Sequence, residues 1–298
     1  MKIGISIPNN WGMADTQALI DLAVLAEELG FASVWTSEHL INTAYVRSRI
    51  GDGAYYHPLA ILSAIASRTK NIKLGTSVIV LPFHNPFDIA KYIATLDQVS
   101  QGRVILGVGV GNVREEFEAL NIEWSKRGAL TDESLDVIKT LWSHESASYQ
   151  GKHWAFSDIH TSPKPYQKNV PIWVGGMSEA AMRRTITKAD GWQPTAITPD
   201  ELRVAREKMR EMAIAHNRDS DAFDICMRFN ISLDDVPVTD VELRSTVKGN
   251  DTKGIIQTAQ QFSEAGATHF IYALNTGEPN VLEKTIRELA QNVLPVFK

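Results

Sequence analysis

An adjacent glutamate and histidine, Glu38 and His39, directly follow the short predicted strand Ser33–Thr36. An imidazole exchanges protons near neutral pH, and a neighbouring carboxylate can fix the orientation of the ring or bind a ligand itself. An isolated pair of this kind more often bonds a loop or a helix end to the backbone. The position directly after a strand favours chemistry, so both residues are candidates for acid–base catalysis.

A glycine-rich segment, G-V-G-V-G, begins at Gly107 and ends the predicted strand Val104–Val108. Its spacing differs from G-x-G-x-x-G, and it follows the fourth strand rather than the first, so we reject a dinucleotide-binding Rossmann fold. Few side chains obstruct the backbone here, so the segment can line a planar ring. The candidate residues for such a contact are Gly109, Val110, Gly111 and Asn112.

A second pair of glycines, Gly175 and Gly176, directly follows the predicted strand Pro171–Val174, and Met177 and Ser178 open the next helix. Unobstructed amides, a hydroxyl group and a helix N-terminus together predict a site for an anion. A tight turn that needs glycine explains the pair equally well, and the two interpretations are compatible.

Three residues, Thr76, Ser77 and Val78, interrupt the aliphatic run of the predicted strand Lys73–Leu81. A plain buried strand tolerates them. Small residues at this place would also let a flat ligand approach the backbone.

Five aromatic residues lie in predicted loops or near strand ends. Scattered aromatic residues usually pack in a core, but these could also form a pocket. They are Trp11, Tyr55, Tyr56, Phe83 and Trp192.

The composition argues against several classes of function. The 298 residues carry 30 Lys+Arg against 35 Asp+Glu, a net charge of −5, which disfavours nucleic acid and membrane partners. The single cysteine, Cys226, and eight histidines without H-x-H or H-E-x-x-H spacing predict no metal site. The chain contains no G-x-S-x-G motif and no run of 18 apolar residues, and we expect a cytoplasmic protein.

The elements that must position these candidates alternate between short apolar strands and amphipathic helices along the whole chain. Eight such units predict a single α/β domain over residues 1–298, a TIM (β/α)₈ barrel whose active site lies at the C-terminal ends of its strands. A doubly wound open sheet is the alternative. The eight predicted strands are Ile3–Ile7, Ser33–Thr36, Lys73–Leu81, Val104–Val108, Pro171–Val174, Gly191–Gln193, Phe223–Phe229 and His269–Ala273.

Predicted helices start at Asp15, Asn85, Arg127, Ser178, Thr198, Asp251 and Pro279. The helix from Arg127 to Trp142 is the fourth of the barrel, and the irregular stretch Ser143–Val170 follows it as an insertion. A second irregular insertion, Ile231–Asn250, follows the seventh strand. Both insertions are expected to shape a substrate pocket.

Several ordered motifs resemble the luciferase-like flavin monooxygenases. They are GTSVIVLPFHNPFDIAKYIATLDQVSQGRVILGVGVGNVREE at 75–116, TSEHL at 36–40, PKPYQ at 163–167 and PIWVGG at 171–176. Within that superfamily the chain is most similar to the oxidoreductases that depend on the deazaflavin coenzyme F420. The similarity extends over residues 1–195 and is looser beyond them.

The resemblance implies a TIM barrel that binds coenzyme F420 or FMN at the C-terminal mouth, usually as a homodimer. It places the family's acidic residue and histidine at Glu38 and His39. It also implies a cis peptide between Ser77 and Val78 beside the ring, together with Thr76. The ring would face Gly109 to Asn112, and the cofactor phosphate would bind Gly175, Gly176, Met177 and Ser178.

The function expected from this resemblance is hydride transfer between coenzyme F420 and a small organic substrate, with His39 moving a proton. An FMN monooxygenase that uses molecular oxygen is one alternative, and a flavin-binding protein without activity is another. The sugar-phosphate dehydrogenase branch carries a Trp and a Glu where this chain has Thr43 and Asn112. The substrate therefore stays open.

Overall fold

A computed structural model of the protein describes residues 1–219, 221–232, 246–249 and 251–297. Parallel strands form its centre and helices surround them. The strands are β1 (Lys2–Ser6), β2 (Ser33–Thr36), β3 (Lys73–Thr76), β4 (Ile79–Val80), β5 (Val104–Gly109), β6 (Ser146–Gln150), β7 (Ala155–His160), β8 (Ile172–Gly175), β9 (Gly191–Gln193), β10 (Asp224–Ser232), β11 (Thr246–Lys248) and β12 (His269–Leu274). The helices are α1 (Thr16–Glu28), α2 (Ala44–Ile50), α3 (Pro58–Arg68), α4 (Pro86–Ser100), α5 (Arg114–Ala119), α6 (Arg127–Ser143), α7 (Glu179–Lys188), α8 (Pro199–Ala215), α9 (Thr252–Glu264) and α10 (Pro279–Asn292).

Eight of the strands close into a ring in the order β1, β2, β3, β5, β8, β9, β10 and β12, and β12 pairs with β1. Every pair in the ring is parallel, as in Lys2 opposite His269 and Asp224 opposite Gly191. The short strands β4 and β11 pair with β5 and β10. This closed ring confirms the predicted TIM barrel, and the open-sheet alternative is wrong.

A layer of large side chains fills the barrel interior. The indole rings of Trp35 and Trp173 stack with their centroids 5.1 Å apart, and Ile105, Cys226 and Ile271 complete the layer. Side chains two positions apart share one face of a strand. The residues one step further toward the C-terminal ends therefore also face inward, directly above this layer. They are Ser37, Gly107, Gly175, Arg228 and Ala273.

The predicted helix start signals are confirmed where the side chain caps the helix. Asp15 accepts a hydrogen bond from the amide of Gln17, and Asn85 accepts one from Phe87. Thr198 and Glu201 form a reciprocal capping box at the start of α8. Such signals are reliable because the cap and the amides that it binds are close in sequence.

The predicted continuous strand Lys73–Leu81 is wrong, because it divides into β3 and β4 around a cis peptide between Ser77 and Val78. The cis peptide itself was implied by the family resemblance and is confirmed. Thr76 Oγ1 donates to the carbonyl of Gly107 at 2.7 Å and accepts from its amide at 2.9 Å. A side chain thus makes the bonds that a regular ladder would make here.

The stretch Ser143–Val170, predicted to be irregular, instead contains the antiparallel hairpin β6–β7. Its aromatic residues pack together, with Tyr149 stacked on Phe156 at 6.0 Å and Phe87 of α4 against Phe156 at 5.0 Å. The glycine and proline residues of the stretch concealed this short alternation. In the second insertion, residues 231–232 extend β10 and 246–248 form β11, while positions 233–245 and 250 lie outside the described residues.

Three segments after strands β2 and β5 are helical although the sequence pattern did not predict them. They are α2, α3 and α5. Helices α2 and α5 have only seven and six residues, so their amphipathic period is too short to recognise. Both contribute side chains to the site described below.

Candidate active site

A cavity of about 360 Å³ opens at the C-terminal ends of the barrel strands. This volume lies within the range of small-molecule sites. Most of the predicted site residues line it, namely Glu38, His39, Ser77, Val78, Gly109, Val110, Gly111, Asn112, Gly175 and Gly176. Thr76, Met177 and Ser178 do not line it. The prediction that Thr76 contacts the ligand is not supported, because its side chain is buried against Gly107.

Glu38 does not orient His39, although the two are adjacent in sequence. Its side chain is fully enclosed; Oε2 accepts a hydrogen bond from the amide of Val80 at 2.7 Å, and Oε1 lies 2.8 Å from Nε2 of His84. The carboxylate therefore joins the end of β2 to the β4 segment. Both oxygens are engaged, which corrects the expectation that Glu38 fixes its neighbour.

The residue that holds His39 is Glu116, in the first turn of α5. Its Oε2 lies 2.7 Å from Nδ1 of His39, and its Oε1 accepts the amides of Leu40 at 2.9 Å and Ile41 at 3.4 Å. The Glu116 side chain is 2% exposed and that of His39 is 17% exposed. A carboxylate accepts the Nδ1 proton, so in the neutral ring Nε2 carries the lone pair. His39 is thus prepared to accept a proton at the cavity.

A tyrosine lies beside this histidine. The Tyr55 ring meets the His39 ring edge to face at 5.6 Å, and its hydroxyl lies 3.0 Å from Oγ of Ser37. Burial raises the pKa of Tyr55 well above its usual range, so the phenol keeps its proton and can donate a hydrogen bond. Of the five aromatic residues that the sequence suggested for a pocket, Tyr55 alone lines this cavity.

The part of the cavity wall at the ends of β4, β5 and β8 is mostly backbone. A Cβ atom on Gly109 would come within 2.7 Å of Val78 Cγ2, and one on Gly175 within 3.2 Å of Val78 Cγ1. These glycines make room for the Val78 side chain, which then fills the corner between β4, β5 and β8. The result is a wall with few projecting side chains, as the sequence predicted for a ring-binding surface.

The predicted anion site at Gly175 to Ser178 has fewer free backbone amides than expected. The Gly176 amide donates to the carbonyl of Gln193 at 3.1 Å and is therefore not free for an anion. Gly176 has φ of +110°, a conformation that favours glycine. Ser178 caps α7 by accepting the amide of Ala181 at 3.2 Å. The amides of Met177 and Ser178, on the exposed rim beside the cavity, remain as donors.

Two arginines also line the cavity, Arg49 from α2 and Arg228 from β10. Neither was among the candidate residues predicted from the sequence. The sequence of β10 contained a signal for Arg228, since a charged residue interrupts the otherwise apolar run 225–229. Arg49 carried no comparable signal, because it lies in a helix of only seven residues.

Within the described ranges, no three His, Cys, Asp or Glu side chains come together in a way that could hold a metal ion. No helix among the described residues is both long and apolar enough to cross a membrane.

Fold and cavity together define a TIM barrel with a candidate site at its C-terminal mouth. Residues 1–274 match the luciferase-like monooxygenase family, and the chain belongs to that family. The resemblance expected from the sequence motifs is thereby confirmed, and so is the assignment to a class of oxidoreductases.

Two curated relatives carry the same name, F420-dependent glucose-6-phosphate dehydrogenase. The Microbacterium testaceum protein is 36% identical over 189 residues, which cover 62% of this chain and 54% of the relative. The Amycolatopsis mediterranei protein is 27% identical in an alignment of 323 positions that covers 94% of each chain. The chain thus spans about half of the first relative and nearly all of the second.

Solved structures superpose closely on the barrel. Monooxygenase RslO1 from Streptomyces bottropensis has a TM-score of 0.82 at 22% identity, with all of both chains covered. An F420-dependent secondary alcohol dehydrogenase in complex with an F420-acetone adduct has a TM-score of 0.82 at 20% identity, covering 100% and 99% of the chains. At such identities the likeness establishes the fold alone.

Proposed function

We propose that the protein transfers a hydride between coenzyme F420 and a small organic substrate at the barrel mouth. The observation that carries this proposal is the Glu116–His39 pair, which holds an oriented imidazole at a cavity that is also lined by the glycine-rich segment 109–112. The names of the two curated relatives support F420 as the cofactor.

The residues of the cavity fit a flavin-type ring. The wall formed by Ser77, Val78 and Gly109 to Asn112 offers a surface against which a planar group can lie. Gln193 lines the cavity and its side-chain amide Nε2 is enclosed without a hydrogen-bond partner among the described residues. Such a donor fits the carbonyl oxygens on the edge of a flavin-type ring. When bound, coenzyme F420 supplies a ring that accepts or returns a hydride.

His39 moves the proton in this proposal. In the oxidation of an alcohol, Nε2 accepts the hydroxyl proton while the carbon gives up its hydrogen with both bonding electrons to the cofactor. The alcohol becomes a carbonyl compound, and the proton and hydride account for the two hydrogens lost. Glu116 stabilises the imidazolium that forms, because its carboxylate stays on Nδ1. In the reverse direction the same nitrogen returns the proton.

The amides of Met177 and Ser178 at the start of α7 are proposed to bind a phosphate of the cofactor. The helix N-terminus favours negative charge, and these amides lie next to Gly175 and Gly176 of the cavity wall. The Arg184 side chain does not add charge here, because it pairs with Asp132 at 2.6 Å.

The glucose 6-phosphate named for the relatives is not carried over to this chain. Asn112 lines the cavity at the position where the sugar-phosphate branch has a glutamate, and Thr43 replaces a tryptophan.

An FMN-dependent monooxygenase is the second candidate, favoured by the description of the family that the chain matches. Anaerobic titration of the purified protein with F420 and with FMN separates the two. Tight binding of F420 with weak binding of FMN supports the proposal, and the opposite preference contradicts it. Oxidation of an alcohol, or reduction of a carbonyl compound, with bound F420 excludes a silent binding protein, and light scattering tests the expected homodimer.

A further inference from the structure

Arg228 is half-buried, and it differs from the buried arginines Arg103 and Arg184 in that no described residue accepts a hydrogen bond from it. Arg103 donates hydrogen bonds to four backbone carbonyls and to Thr69 Oγ1, and Arg184 forms a bidentate pair with Asp132. The Nε atom of Arg228 is enclosed and has no partner. Buried guanidinium groups are normally hydrogen-bonded, so an acceptor is missing at this place.

The position of Arg228 directs its side chain into the barrel. Cys226, two residues earlier on β10, belongs to the packed interior layer, so Arg228 faces inward one step above it. In the ring of strands, β10 lies four places from β3 in either direction. Arg228 is therefore across the cavity from the Ser77–Val78 wall, on the side left for a substrate.

Arg49 brings a second positive charge to the same cavity. Its guanidinium lies over the Trp11 ring at 4.9 Å from the centroid and donates to Tyr45 Oη at 3.3 Å. The nearby Asp52 pairs with Arg47 instead, at 3.4 Å. Burial, and next the charge of Arg49, lower the pKa of Arg228. Two like charges share a cavity, which disfavours both unless an anion joins them.

The carboxylates of the cavity do not neutralise these arginines. Glu38 and Glu116 are the acidic residues among its described lining, and both oxygens of each are bound by a histidine and by backbone amides. Neither forms an ion pair with Arg49 or Arg228. The remaining partner for Arg49 and Arg228 in this cavity is therefore an anionic ligand.

We infer that Arg228 and Arg49 form a subsite for an anionic group of the substrate, a carboxylate or a phosphate. That the ligand is a substrate rests on the proposed hydride transfer. The anion site itself does not depend on that proposal. A planar guanidinium matches the two oxygens of a carboxylate or phosphate. The substrate class is thus an alcohol or carbonyl compound that carries such a group within reach of His39.

The test uses inorganic phosphate and acetate as probes with the full chain. Phosphate is expected to raise the melting temperature of the parent, and the Arg228→Met and Arg49→Met variants should need at least about tenfold more for the same shift, since a charged hydrogen bond contributes about 1.5–3 kcal/mol. Arg47→Met is the matched control for Arg49, because Arg47 lies on the same helix with a side chain 62% exposed. Arg228→Lys keeps the charge and should retain part of the effect.

Titration with F420 in the presence of phosphate identifies the source of the anion. If phosphate and F420 bind together, and F420 binds Arg228→Met as it binds the parent, the subsite belongs to the substrate. If phosphate displaces F420 and Arg228→Met loses F420, the arginines hold the cofactor and the inference is overturned. Equal phosphate binding by parent and Arg228→Met overturns it as well.

Substrate pairs complete the experiment. The parent should prefer the member of each alcohol or ketone pair that bears a carboxylate or phosphate, and the ratio of the two kcat/KM values should fall toward one in Arg228→Met. If F420 fails to bind but phosphate still binds through Arg228, the proposed function fails and the anion site stands.

Discussion

Glu116 Oε2 lies 2.7 Å from Nδ1 of His39, although 77 positions separate the two residues in the chain. The residue beside His39, Glu38, binds His84 instead. Two carboxylate–histidine pairs thus lie at the barrel mouth, and each joins segments that are distant in sequence. One pair presents a ring nitrogen to the cavity, and the other fixes the loop that carries it.

Replacing Glu116 by Gln should lower kcat by about 10- to 100-fold while KM and cofactor affinity change by less than about threefold. The amide keeps the backbone contacts but cannot stabilise the charged imidazole as a carboxylate does. Steady-state kinetics with saturating cofactor measure the split. The control is Glu115→Gln, an exposed neighbour on the same helix. A rise in KM at unchanged kcat would contradict the role of Glu116 as a positioning residue.

The substitution His39→Ala should reduce hydride transfer by roughly 100-fold or more, the contribution of a well-placed acid–base group. Cofactor affinity should stay within a few fold of the parent. Single-turnover absorbance changes of the cofactor report the hydride step directly. His144→Ala, at an exposed histidine, serves as the control. Unchanged rates in His39→Ala would remove this residue from the mechanism.

Loss of Glu38 should act on folding stability rather than on the chemical step alone. Glu38→Ala leaves the buried amide of Val80 and the His84 ring without their acceptor, and should lower the free energy of unfolding by about 2–3 kcal/mol. Urea denaturation measures the change. Glu28→Ala, at an exposed position at the end of α1, should be nearly neutral. Equal stability of the two variants would show that the Glu38 contacts are dispensable.

His269, the first residue of β12 at the opposite end of the barrel, should make stability depend on pH. Burial lowers its pKa to about 4, although Asp224 at 3.5 Å acts in the opposite direction. The unfolded chain binds a proton near pH 6.5 and the folded chain only near pH 4. Unfolding free energy should therefore fall as the pH is lowered through this window, by about 3 kcal/mol from this residue.

The comparison that isolates this contribution is His269→Gln, which carries no titrating group. Urea denaturation between pH 7 and pH 4 should give a shallower decline for this variant than for the parent. His160→Gln, at an exposed histidine, should follow the parent. Parallel curves for parent and His269→Gln would mean that His269 is protonated equally in both states.

The backbone wall of the cavity should not tolerate an added methyl group at Gly109. In Gly109→Ala the new Cβ would lie 2.7 Å from Val78 Cγ2, and overpacking of this kind costs about 1–3 kcal/mol. We expect cofactor affinity to fall at least about tenfold. Gly128→Ala in α6 is the control, since its Cβ would approach only Arg184 Nη2, at 3.8 Å. Unchanged affinity in Gly109→Ala would mean that the ring does not lie against Val78.

The barrel could be predicted because its signals are local. Glycine stops, capping residues such as Thr198 and short apolar runs each lie within a few positions of the element that they define. The break in the third strand could not be predicted from the residues themselves, because the Thr76 side chain replaces ladder bonds only when Gly107 lies beside it. It was the family resemblance that implied the cis peptide there.

The candidate site also shows that contacts between residues distant in sequence could not be predicted. Glu38 and His39 are adjacent, which suggested that they act together, but each has its partner on another element. Glu116 and His84 are distant in sequence, and neither stands in a motif that links it to the pair. Most of the predicted ring-facing residues do line the cavity, because the ends of parallel strands meet at one face whatever their side chains bond.

The layer built around Trp35 and Trp173 divides the barrel into two compartments. A cavity of about 220 Å³ at the base, beside Lys2 and His269, lies on one side of these indoles, and the candidate active site lies on the other. Substitutions at the base can therefore alter the acid tolerance of the fold without reaching the reacting groups. Substitutions in the loops at the mouth can likewise change substrate selectivity without altering the packed layer below them.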